Sequence, residues 1–317
     1  MSSKVGSAIS AESLTSSVTG MRRPTTVEFM LLTVVTLWAL NLTVTRYILT
    51  HGFRPLAFST TRYGLAAVLF VAITLVVEGS LRIRVRDLPL FGAAALAIFL
   101  NQVAFVYAVK TTTASVVAVI LGATPIFAAL FGLAFRTESV SGRFWLGAAI
   151  SFAGVGFVAV GAGGQLSGNL GGVLLGVCTA ASWAAYSVAI TPLMRRYSAQ
   201  KVSAIVLPVG WVGLAIAGAH QTRAQDYGLG WRVWVLFAFA TAGPLLLTNI
   251  LFFRALHRIG PARATLATNL QPFVAAVFAL VLLSEKLTAI QVAGGLCIAA
   301  GILVARRRSA APMAPAD

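Results

Sequence analysis

Arg62 is the only charged residue between Pro55 and Val77. A guanidinium keeps its proton and presents five donors in a planar fork, which suits a carboxylate or a phosphate. It would equally serve to brace helix-end carbonyls. At 1.5 Å per residue in a helix, Arg62 lies roughly 10 Å inside that apolar stretch. Arg46 is nearer the end of the preceding stretch, where an arginine can snorkel to an interface. Uncharged polar residues form a second set of candidates. Asn41 follows Trp38 by three positions, Asn101 and Gln102 sit mid-run, and Thr248 and Asn249 sit mid-run again much later. Asn269 and Gln271 precede Pro272, and a proline inside a helix frees a backbone carbonyl that a ligand can use. Trp183 and Tyr186, three apart, share a helical face and could line a cavity together. Interhelical hydrogen bonding is the competing role for the amides, and interfacial anchoring for the aromatics.

The acids matter by their placement. Glu12, Glu28, Glu78, Asp87, Glu138, Asp226, Glu285 and Asp317 all fall outside the apolar runs or at their ends. His51, His220 and His257 are scattered near the same boundaries. The sequence offers no paired carboxylates, no Ser/His/Asp set and no cluster of metal ligands, so an enzyme is disfavoured and no cofactor or metal is implied. Cys178 and Cys297 each lie within an apolar run and read as packing residues rather than a disulfide framework.

These candidates must be positioned by elements buried in lipid. Of 317 residues, 58% are hydrophobic and only 10% charged, against about 25% charged in a soluble domain. Mean hydropathy is +0.89. The net charge of +16 is too thinly spread for a phosphate-binding face, so no nucleic-acid partner is expected. A bilayer core of about 30 Å needs roughly 20 apolar residues per helix. Cutting the chain at charges and Gly/Pro clusters gives ten spans: 28–48, 56–78, 88–109, 113–135, 144–163, 169–192, 201–219, 232–253, 262–283 and 288–305. Seventeen of the 24 Lys and Arg fall in one set of alternate ends and six in the other, with Arg62 between. The positive-inside rule then puts both termini in the cytoplasm, in a bacterial-type inner (plasma) membrane. Residues 1–26 are expected to be a disordered cytoplasmic segment and 307–317 a cytoplasmic tail.

Sliding the chain over itself by 147 residues aligns Pro125 with Pro272, Glu138 with Glu285, Gly147 with Gly294 and Gly154 with Gly301. The same offset carries Asn101 and Gln102 onto Thr248 and Asn249. An offset of 145 pairs Trp38-Ala39 with Trp183-Ala184. Each half therefore reads as five helices, 27–163 and 164–306. Five is odd, so the second half must enter the membrane upside down, an inverted-repeat arrangement used by transporters. The fold class expected is all-α and integral to the membrane, ten helices in two inverted repeats.

The residues Trp38, Asn41, Arg46, Pro55 and Arg62, followed by Pro125, Glu138 and Gly147 and again by Pro272, Glu285 and Gly294, resemble the EamA-type members of the drug/metabolite transporter superfamily. The resemblance covers roughly residues 30–305. It departs at Ala39, where the family commonly has Gly, and at Glu138-Ser139-Val140, where the family usually has Glu-Arg or Glu-Lys before an apolar residue. It implies a ten-helix permease, often an exporter of amino acids or related small solutes. Its partners would be a small-molecule substrate and the lipid bilayer, and the chain would act as a monomer or a homodimer. Arginines without intramembrane acids favour an anionic or zwitterionic solute. A carrier of phosphorylated sugars or nucleotide sugars, or a multidrug exporter, is the alternative.

Overall fold

The computed structural model of the protein describes residues 26–111, 114–161, 170–274, 277–278 and 288–306, and these are helical with no strand among them. The amino-terminal segment, the tail, Glu285 and Lys286 lie outside the described residues. The helices are α1 (Thr26–Thr50), α2 (Pro55–Glu78), α3 (Leu88–Thr111), α4 (Ala114–Leu121), α5 (Thr124–Ala134), α6 (Gly142–Gly161), α7 (Leu170–Leu193), α8 (Ala199–Arg223), α9 (Trp231–Thr241), α10 (Thr248–Ile259), α11 (Pro261–Ala267) and α12 (Ala289–Arg306). Seven continuous helices among the described residues are long and apolar enough to cross a membrane, and Val119–Ala134 and Ala289–Ala305 are shorter apolar helices. The chain is thus an all-helical, multi-pass membrane protein. Side chains such as Val68, Val76, Leu174 and Ile216 are exposed around the bundle, as expected where the surrounding solvent is lipid rather than water.

Three interruptions shape the interior, each beside a proline. Pro125 lacks the N–H that would bond Leu121, and the helix breaks between α4 and α5, where the Thr124 hydroxyl donates to the Leu121 carbonyl at 2.6 Å. The span expected over 113–135 is therefore two helices. The segment after α11 tightens into a 3-10 turn at Thr268–Leu270 just before Pro272. Between α9 and α10 the chain widens into a π-helix over Ala242–Leu247, which contains Pro244.

Packing follows residue size. α6 and α12 run antiparallel, with Gly147 against Gly301 and Gly154 against Gly294. A methyl at Gly154 would stand 2.7 Å from the Gly294 carbonyl oxygen, and one at Gly294 2.7 Å from that of Gly154. The two backbones are in contact, the arrangement small residues permit in membrane bundles. α2 packs on α8 through Trp211, which donates to the Thr60 carbonyl, and through the Thr60 hydroxyl, which donates to Leu214.

The two ends of the bundle differ. At one, Arg196 pairs with Asp87 and Lys201 with Glu78, while the Tyr197 hydroxyl donates to Asp87 at 2.7 Å. Glu138 lies at this end too. It caps α11 of the second half by accepting from the Ala262 N–H at 2.9 Å. Desolvation pushes its carboxyl up to about 7, opposed by the Ala262 hydrogen bond and the Arg263 charge. At the other end, Gln225 holds the α1–α2 turn by accepting from the Arg54 N–H at 2.7 Å and donating to the Gly52 carbonyl at 3.1 Å. Gly52 has φ +99°, a conformation that favours glycine.

Candidate functional site

A cavity of about 160 Å³ lies inside the bundle, reached by both halves of the chain. α1 brings Trp38, Asn41 and Leu42 to it, α2 brings Arg62 and Tyr63, and α3 brings Asn101, Gln102 and Phe105. From the second half come Thr179, Trp183, Pro244, Asn249, Thr268, Asn269, Gln271 and Pro272. All three proline-linked interruptions border it, through Leu121, Gly122 and Thr124 in the first half and the residues just named in the second. Helix breaks of this kind are tolerated at membrane depth only where they line a cavity or are buried in protein.

Trp38 is held from two sides. Its indole N–H donates to the Pro244 carbonyl at 3.1 Å and the Thr248 hydroxyl at 3.0 Å, and its own carbonyl accepts from Gln271 Nε2 at 3.1 Å. Its ring meets Trp183 edge-on at 5.2 Å and Phe252 at 5.2 Å. The result is a fixed aromatic wall.

Arg62 is 4% exposed and donates Nε and Nη2 to the Ala240 carbonyl, at 3.2 and 2.8 Å. The reason is local. In an α-helix that carbonyl would accept from residue 244, and Pro244 has no N–H to give. The arginine satisfies the orphaned oxygen and thereby fixes the π-helical segment. Its Nη1 has no hydrogen-bond partner among the described residues, and its guanidinium carbon lies 5.6 Å from the Phe58 ring centre. Bracing and lining the cavity are thus done by one side chain.

Asn101, Gln102 and Asn269 spend N–H groups on backbone, on each other or on a hydroxyl. Asn101 donates to Thr179 at 2.9 Å, Gln102 to Asn101 at 2.9 Å, and Asn269 to the Gly122 carbonyl at 3.2 Å and to Ser151 at 3.1 Å. Asn41, 9% exposed, has an Oδ1 with no hydrogen-bond partner, a costly state for a buried polar atom. No carboxylate lines the cavity among the described residues.

Of the residues singled out from sequence, Trp38, Asn41, Arg62, Asn101, Gln102, Trp183, Asn249, Asn269 and Gln271 come together here. Tyr186 does not. It is fully buried behind Trp183, 5.4 Å between ring centres, and packs against Phe253. Arg46 lies elsewhere, in a second cavity between the α1–α2 turn and the end of α3. Tyr63, Phe105, Thr179 and Pro244 complete the wall without having been anticipated. Helical spacing would have found two of them, since Phe105 is four residues beyond Asn101 and Thr179 four before Trp183.

Two stretches of the chain, residues 25–160 and 170–307, each match the model of the EamA-like transporter family. The chain belongs to the EamA-like transporter family. It is accordingly a membrane transporter and not an enzyme. An uncharacterized transporter of Archaeoglobus fulgidus is 24% identical over 282 residues, covering 86% of this chain and 96% of that protein. A probable terminal-alkyne amino-acid exporter of Streptantibioticus cattleyicolor is 27% identical over 287 residues, covering 86% and 93%. A solved crystal structure superposes with a TM-score of 0.69 at 16% identity, over 90% of this chain and 97% of its own. That likeness concerns the fold alone.

Proposed function

We propose that this EamA-family protein is a secondary transporter that exports small zwitterionic or anionic metabolites such as amino acids. It works by alternating access between two inverted five-helix repeats that make ten membrane-spanning helices. The observation that carries the substrate class is the polarity of the central cavity. Arg62, which lines the cavity, supplies a charge for a carboxylate, while the amide oxygens of Asn269 and Gln271, whose N–H groups bond other protein groups, and the unpartnered Oδ1 of Asn41 are left to accept from an ammonium. Trp38, Trp183 and Phe105 supply an apolar face for a side chain. A phosphorylated sugar would call for more charge than Arg62 alone, and a cationic drug would find no carboxylate among the described lining. The 27% identical relative from Streptantibioticus cattleyicolor named a probable terminal-alkyne amino-acid exporter agrees with this reading.

The inverted repeat has support of its own. The breaks at 121–123 and 268–270 are 147 residues apart, and so are Gly122 and Asn269, which touch. Contact between equivalent positions is what a pseudo-two-fold axis passing between them produces. The glycine contacts obey the same relation, since 147 with 301 becomes 294 with 154. The bundle end rich in arginines, where Glu138 and the ion pairs lie, faces the cytoplasm in a cell inner membrane, with both termini there.

Arg62 provides the test. Arg62→Ala should abolish counterflow of labelled amino acid in proteoliposomes. It should also lower the thermal midpoint, because the Ala240 carbonyl loses its donor. Arg62→Gln can still donate to that carbonyl without the charge, so it should recover most of the stability and little of the transport. Transport at the wild-type rate in Arg62→Gln would reduce the arginine to a brace.

A further inference from the structure

The second cavity, about 370 Å³, lies where the α1–α2 turn meets the end of α3. Arg46, Arg54 and Lys110 line it over a floor of Phe53, with Val109 and Thr50 beside them. Phe53 is 1% exposed and the three cations are exposed. Among the described residues no carboxylate lines the cavity, and the two ion pairs found among them, Arg196–Asp87 and Lys201–Glu78, both belong to the opposite end. Basic residues are scarce at this end, where the described ones are Arg46, Arg54, Lys110, Arg223 and Arg232. Three of the five converge on one cavity. The turn that carries Arg54 is not loose, because buried Gln225 clamps its backbone on both sides. Like charges gathered with no carboxylate in the described lining repel one another, and an anion bound between them removes that cost.

The cavity also continues the line of the central one. α1 and α3 border both. On α1, Leu42 lines the central cavity and Arg46, one turn on, the second; on α3, Phe105 lines the first and Val109, one turn on, the second. One helical turn is about 5.4 Å.

We propose that this cavity is a binding vestibule for small anions bearing a carboxylate or phosphate group, placed where a solute passing between α1 and α3 would emerge. Its place on the transport path rests on the function proposed above, and its selectivity for anions does not. A lipid phosphate headgroup shares the same chemistry and is the other source of such a ligand.

The test uses the full chain with Cys178→Ser and Cys297→Ser and a reporter thiol from Thr50→Cys, in phosphatidylcholine nanodiscs that expose both faces. Labelling rates with a negatively charged sulfonatoethyl and a positively charged trimethylammonioethyl methanethiosulfonate are compared, each normalised to a free small thiol. Focusing by clustered charge should favour the anionic reagent by roughly 10-fold or more at low salt and fade in about 0.5 M NaCl. Neutralising Arg46→Gln with Lys110→Gln should abolish the preference; if that double variant does not insert, Arg54→Gln alone, which keeps the Gln225 clamp, should halve it or more. Protection by millimolar inorganic phosphate identifies a free anion as occupant. Protection confined to phosphatidylglycerol nanodiscs identifies a headgroup. Equal normalised rates for the two reagents, unchanged by neutralisation, would overturn the proposal. A strong anion preference combined with unaltered counterflow in the Gln variants would leave the anion site standing and remove it from the transport path.

Discussion

The glycine seam between α6 and α12 and the wall of the central cavity are both built where the two halves of the chain meet, yet they solve opposite problems. The seam brings backbone onto backbone with no side chain between, so nothing there can adjust. At the cavity, prolines interrupt the helices and side chains take over the orphaned backbone groups: Arg62 for Ala240, Thr124 for Leu121. Substituting at the seam should therefore affect assembly, whereas substituting at the wall should affect ligand handling at smaller cost to the fold.

The largest expected effect is at the seam. Gly154→Leu would drive a side chain into the α12 backbone, and overpacking of this kind costs about 1–3 kcal/mol or more; folded protein recovered from membranes should fall severalfold. Gly156→Leu, two residues away on a side with no atom within 4 Å of an added methyl, should recover near-normal yield in the same assay. Equal yields would deny that backbone contact holds the seam.

At the wall, Trp38→Phe keeps an aromatic ring but removes the indole N–H that meets Pro244 and Thr248. The thermal midpoint should drop by the equivalent of about 1 kcal/mol, with a larger proportional loss of counterflow. A purely structural tryptophan would lose stability and transport in step.

Glu138 gives a smaller, pH-dependent effect. Its folded value of about 7 stands above the usual carboxylate range, so between roughly pH 4.5 and 7 the folded state holds more proton than the unfolded. Its contribution is fully present below that window and is lost as pH rises through about 7. Partial exposure keeps the amplitude on the order of 1 kcal/mol. Thermal midpoints measured from pH 5 to 8 should decline for the wild type and flatten for Glu138→Gln, which still accepts from Ala262. The smallest change expected is the stability of Asn41→Ala, close to wild type because Oδ1 has no partner to lose, while the KM for exported substrate rises.

Much of this was legible in the sequence because membrane helices announce themselves by length and because prolines, glycines and acids recurred at one offset. That offset aligned the prolines that stand beside two of the helix breaks, Pro125 and Pro272, and the four glycines of the seam, Gly147, Gly154, Gly294 and Gly301, although a continuous span was expected over 113–135. Nine candidate residues meet at the cavity for the same reason: a polar side chain deep in an apolar run has few other places to go. What escaped was rotational. Tyr186 shares a helical face with Trp183 in projection, but one turn of α7 is enough to carry it behind Trp183 onto Phe253. The tie between Arg62 and Ala240 joins residues 178 apart, and no periodicity signals a contact at that distance, although Pro244 marks the carbonyl that would need it. The partner of Glu138, Ala262, likewise lies in the other half.

A cavity with one arginine and no carboxylate among its described lining residues should handle zwitterions or anions. Counterflow in proteoliposomes, with a panel of labelled amino acids, organic anions and cationic dyes, tests it most directly. One or more amino acids or organic anions should accelerate exchange and cationic dyes should not. Acceleration by dyes alone, accompanied by proton flux, would contradict it.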